Sequence, residues 1–136
     1  MPWLVGYYGV FQTFHVVFNV LVLTGLLTIE FPWPPPEGWH LQTSASWTAV
    51  ALVDTAIALL ALYFVAGFFG GRPRTLWAGV VSLAAYMATI FVFNYTVVAV
   101  DAWTHHPVEY TVLNVVAIPL VLLFLAVVRD LRDGGG

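Results

Sequence analysis

Trp47–Gly70, WTAVALVDTAIALLALYFVAGFFG, decides the fold. It is a continuous apolar run, and about 20 such residues suffice to cross the hydrocarbon core of a bilayer. One charged side chain, Asp54, interrupts it. Three runs of the same character flank it, so the chain reads as four spans at about 7–29, 47–69, 77–100 and 110–128. The expected fold is an all-α integral membrane protein, a four-transmembrane-helix antiparallel bundle forming a single domain over residues 1–136.

Composition agrees. Hydrophobic residues make up 61% and charged residues 8%, against roughly 45–50% and 25% in soluble domains. A soluble fold of this size would lack the polar residues for its exterior; lipid as solvent removes that conflict. With no cysteine, disulfides, thiolate metal ligands and cysteine nucleophiles are excluded. The net charge of −3 offers no basic face for nucleic acid. The basic side chains are all arginines, and Arg-Asp pairs such as Arg129-Asp130 accompany them. This suggests a GC-rich or salt-adapted prokaryotic host and its cell membrane. The start, MPWLVGYYGVFQ, lacks the charged region and cleavage site of a signal peptide, so the first run is read as retained.

The connectors give an orientation. An outer loop at 30–46 contains EFPWPPPEGWH, too rich in proline and glycine for helix; Trp33 and Trp39 are expected to hold it at the interface. Gly70 and Gly71 stop the second helix, and a turn at 70–76 makes spans two and three antiparallel neighbours. A second outer loop covers 101–109, and 129–136 forms the tail. Arg72 and Arg74 in the turn and Arg129 and Arg132 after the last span share one side. Positive flanks stay inside, which puts the N- and C-termini both in the cytoplasm.

Polar side chains inside spans are costly in lipid and mark where helices meet. Tyr8, Gln12, His15 and Asn19 fall on one stripe of the first span. Ala51, Asp54, Ala58 and Ala61 share a small-residue face of the second, and Gly79, Ser82, Tyr86 and Thr89 form a stripe on the third. Counted from the outer boundaries, Thr24, Asp54, Asn94 and Asn114 each lie four to seven residues in. The expectation is one polar layer in the outer half of the bundle, with Asp54 as its ionisable member. It serves either as a structural hydrogen-bonded layer or as a pocket for a ligand, ion or proton. His15 is expected to bond to Gln12 or Asn19, or across to Tyr86, as a second polar group.

Cofactor signals are sparse. Asp101, His105, His106 and Glu109, with His40, have the ligand types of a zinc or copper site. Asp101 and His105 would share a face if the third helix ran on one more turn, though Pro107 interrupts the spacing. A haem held by two histidines needs both at one depth. No other span contains a histidine besides His15, so a haem within one chain is not expected. Ser44 and Ser46 lack the glycine elbow of a serine nucleophile, and no catalytic set is found.

The layout, with an acid early in the second span and a proline in the fourth (Asn114–Leu120, NVVAIPL), resembles that of the sterol-isomerase and sigma-2-receptor group. That resemblance is one of layout, and it implies a lipid-like ligand enclosed among the helices. The leading expectation from the residues is a non-enzymatic protein that works by association, as an accessory or assembly subunit of a membrane complex or as a homo-oligomer. A binder or enzyme of a lipid-like or other small ligand, held in an outer-leaflet pocket around Asp54, Asn94 and Asn114, is the alternative, and an ion or proton pathway the third.

Overall fold

The computed structural model describes residues 1–27, 39–99 and 101–134, the helical stretch 39–47 as backbone only. The elements are α1 (Pro2–Leu23), α2 (Trp39–Phe69), a 3₁₀ turn (Pro73–Thr75), α3 (Leu76–Ala99), α4 (Ala102–His105) and α5 (Pro107–Arg132). No strand occurs among the described residues. α1, α2, α3 and α5 each contain a segment long and apolar enough to cross a membrane.

Local backbone chemistry sets the ends, and it moves several of the expected boundaries. α1 begins at Pro2, where proline's missing amide costs nothing because a first-turn amide has no helical partner. It ends at Leu23, short of the expected 29, because Gly25 turns left-handed at φ 72°. The Leu27 amide then returns to the Leu21 carbonyl at 3.0 Å. α2 starts at Trp39, ahead of the apolar run and inside the stretch expected as loop. The rest of that loop, with Glu30, Trp33 and Glu37, lies outside the described residues.

At its far end α2 closes in a Schellman motif. Gly71 has φ 65°, its amide bonds the Phe68 carbonyl at 3.2 Å, and the Arg72 amide bonds the Gly67 carbonyl at 2.8 Å, the two bonds that satisfy the last turn's carbonyls. α3 does not run on through 101–105 as the shared face of Asp101 and His105 required. Asp101 is left-handed at φ 56° and starts the separate α4. Aspartate tolerates that conformation better than most residues. α5 begins at Pro107, so His106, Pro107 and Glu109 belong to the helix start and not to a loop.

α1 packs on α2 and α5, and α3 packs on the same two. Where α1 meets α2, Gly9 faces Val65 near one end and Asn19 reaches Asp54 near the other. The main apolar core lies toward the Gly9–Val65 end. Val5, Phe64, Leu83, Leu120, Leu123 and Val127 are fully buried there. Val97, Ala102 and Tyr110 form a smaller cluster at the opposite end. Large apolar side chains also point outward on every long helix, among them Phe14, Leu52, Leu59, Phe91, Ile118 and Leu125. That pattern is inside-out for water and normal for lipid.

Pro119 lies within α5 and cannot donate to the Val115 carbonyl. One residue on, the Tyr7 hydroxyl donates to the Val116 carbonyl at 2.7 Å. A neighbouring helix thus supplies a donor in the turn that proline weakens, the usual way a membrane helix tolerates proline.

Close approach of α2 and α3 depends on absent side chains. A Cβ at Gly79 would lie 2.9 Å from the Phe64 ring, including its branch carbon, whereas one at Gly6 would meet nothing within 4 Å. Gly79→Ala should therefore cost about 1–3 kcal/mol through overpacking. Gly6→Ala should be neutral or stabilise by up to about 1 kcal/mol through helix propensity. Thermal melts in detergent compare the two, and opposite signs are expected.

Candidate functional site

Asp54 lies on the buried face of α2 with Ala51, Ala58 and Ala61, small residues that let α1 come close. Its Oδ2 accepts a hydrogen bond from Asn19 Nδ2 at 2.8 Å and is bonded to His15 Nδ1 at the same distance. His15 and Asn19 are four apart and so share a face of α1. Imidazole and carboxylate hold one hydrogen between them, carried by either atom. Phe11 and Tyr86 pack against the imidazole, their ring centroids 4.5 and 5.6 Å from it, and fix its plane. The partner of His15 is thus an acid on α2, not Gln12 or Asn19; Tyr86 is a ring contact.

The second carboxylate oxygen, Asp54 Oδ1, is buried and has no hydrogen-bond partner among the described residues. The Tyr8 hydroxyl and both polar atoms of Gln12 are buried as well and make no well-aligned hydrogen bond among the described residues, although Gln12 and Ser82 lie within hydrogen-bonding reach of that hydroxyl. Tyr8 and Gln12 are fully buried, as is Ser82 on α3, which with Gln12 neighbours the Tyr8 hydroxyl. Each unmade hydrogen bond of a buried group costs about 1–3 kcal/mol. Four in one place would be comparable to the roughly 5–15 kcal/mol that holds a whole domain together. A polar occupant is the physical answer to such a cost.

The expected single layer divides in two. Asn94 and Asn114 form a reciprocal amide pair, each Nδ2 donating to the other's Oδ1 at 2.9 Å. Each amide also reaches the carbonyl four residues earlier in its own helix, Ile90 or Tyr110. Asn94 is about 27 Å from the start of α3 and Asn114 about 27 Å from the end of α5, at 1.5 Å per residue, so their depths match. Asp54 instead meets α1. Thr24 joins neither group: it is exposed, and its hydroxyl donates to the Val20 carbonyl at 2.7 Å, because α1 has already ended beside it.

The metal reading loses its geometry. With Asp101 left-handed, its helical alignment with His105 is gone. His106 Nδ1 lies 3.4 Å from Glu109 Oε1. No group of three or more histidine or acidic side chains able to hold a metal exists among the described residues; the side chains of His40, Ser44 and Ser46 lie outside them. At the arginine-bearing end, a cleft of about 510 Å³ opens between the α2–α3 turn and the end of α5. Phe68, Arg72, Asp130 and Asp133 line it. Its charges are exposed and mixed, and such surface pairs contribute little.

No family model, curated protein or solved structure matches this chain. The layout likeness to the sterol-isomerase and sigma-2-receptor group therefore gains no support, and the site must be read from its own chemistry.

What the sequence reading missed was the His15–Asp54 pair. The signal was present: within the four spans His15 is the one side chain able to carry positive charge and Asp54 the one acid. A buried acid in lipid recruits a donor.

Double-mutant cycles test the division into two centres. The His15→Leu/Asp54→Leu and Asn94→Val/Asn114→Val cycles should each show coupling of about 0.6–1.7 kcal/mol, the range of interhelical bonds in membranes. The Asp54→Leu/Asn114→Val cycle should add to within about 0.5 kcal/mol. Unfolding in mixed micelles is the measurement.

Proposed function

We propose that this chain is a membrane protein of four antiparallel spans, with its arginine-bearing ends and both termini in the cytoplasm, whose function is to pass protons through the Asp54–His15 centre. The observation that carries the reading is the 2.8 Å bond between the largely buried carboxylate of Asp54 and the partly exposed imidazole of His15, within the apolar part of the bundle. With Nε2 carrying its own hydrogen, the pair is neutral overall whether the shared proton is on Nδ1 or on the carboxylate, and it can hand that proton on and take another. Intramembrane acids and histidines are the usual groups of proton relays.

Two features favour this reading over the others. Asn94 and Asn114 are engaged with each other, which weighs against one ligand pocket shared with Asp54. Thr13, Thr24 and Thr96, polar side chains on the outer faces, return their hydroxyls to their own helices and ask for no partner. Action purely by association, as accessory subunit or homo-oligomer, would have to rest on the apolar exterior alone, and lipid covers that equally well.

Proton flux into vesicles holding a pH dye, driven by a potassium diffusion potential, tests the proposal. Wild-type protein should exceed empty vesicles by about tenfold or more, equal to roughly 1.4 kcal/mol on the limiting barrier. Asp54→Asn keeps the shape and the bonds to His15 and Asn19 but cannot titrate, and should return flux to background. Equal flux in both would overturn the proposal.

The orientation has its own test. The chain contains no cysteine, so single replacements report cleanly. An impermeant maleimide added to intact cells should label Thr104→Cys and spare Arg74→Cys and Asp133→Cys until the membrane is opened.

A further inference from the structure

Resting on that proposed function, we infer that Tyr8, Gln12, Ser82 and Asp54 enclose bound water, and that this water forms the proton's path between the Asp54–His15 centre and the arginine-bearing end of the bundle. The need for such a path follows from depth. At 1.5 Å per residue, His15 is about 20 Å from the start of α1, and Asp54 about 22 Å from the end of α2, two ends that lie together. On the other side α1 ends only two turns beyond His15. Along α1 the centre therefore lies nearer one end of the helix, and the arginine-bearing end is the far one.

The stretch toward that far end is where the unsatisfied groups lie. Tyr8 is about 9 Å from the start of α1 and Gln12 about 15 Å, so the two line the deeper half of the way to His15. Both side chains are fully buried; the Tyr8 hydroxyl and the Gln12 amide lie within reach of each other but make no well-aligned hydrogen bond, and Asp54 Oδ1 has no partner among the described residues. Ser82 flanks Tyr8 from α3, its own hydroxyl turned to the Gly79 carbonyl at 3.2 Å.

The chemistry of these groups selects water. A hydroxyl donates and accepts, an amide offers both, and a carboxylate oxygen accepts. A metal ion would be met by acceptors only, whereas water donates two bonds and accepts two and takes two to four polar partners when buried. The titratable groups facing this line are His15 from α1, Asp54 from α2 and Tyr86 from α3; the part of α5 that closes the bundle here brings apolar side chains such as Leu120 and Leu123.

The test combines water detection with flux in the full-length protein in vesicles. Magnetisation transfer from water should reach the Gln12 side-chain amide in solid-state NMR. Gln12→Leu, similar in volume, should cut flux about tenfold or more, roughly 1.4 kcal/mol, while its melting temperature holds because the packing volume is kept. Thr13→Val, on the outer face, should leave flux unchanged. Wild-type flux in Gln12→Leu, or a Gln12 amide out of contact with water, would overturn the inference. Should the wild type itself pass no protons, the proposed function fails, and a dry Gln12 amide would then sink the hydrated line as well.

Discussion

A carboxyl group held in hydrocarbon must have donors, and that requirement organises this molecule. Asp54 takes its partners from one face of α1, His15 and Asn19, so the register of α1 against α2 follows from a single oxygen atom. Ala51, Ala58 and Ala61 allow the approach, and Gly9 repeats the device against Val65 nearer the arginine-bearing end. Apolar packing is weakly directional in lipid, since tails are as oily as leucine. The buried polar bonds are what make one arrangement of the helices better than its neighbours.

The interior is graded from end to end. Tight apolar packing around Phe64 and Leu83 occupies one end, the acid–imidazole pair lies beyond it, and the asparagine pair a little further along. The orphaned atoms of Tyr8 and Gln12 run beside the tightest packing, not in a loose region.

The four long helices were legible in the sequence because twenty apolar residues in a row admit few other structures. Their limits were not, because hydropathy has no knowledge of a left-handed Gly25 or Asp101, or of a helix that starts at Trp39 before its apolar part. The polar stripes on α1 and α3 and the small-residue face of α2 could be read from helical spacing alone. Pairing them across helices required depths, and depths counted from misplaced ends sent Asp54 toward Asn94 and Asn114. Those two were counted to the same level and do meet, since their helices end nearly where hydropathy puts them; Thr24 was lost because α1 stops beside it.

The bond from Tyr7 to the Val116 carbonyl has a mechanical meaning. α5 can flex most readily beside Pro119, and the polar restraint in that turn comes from a hydroxyl on the helix that also holds His15. Any bending of α5 must first release or drag Tyr7, and a tug on Tyr7 is felt along the same rigid rod two turns later at the imidazole. A swing of the last helix and the hold on the acid are thus geared together through α1.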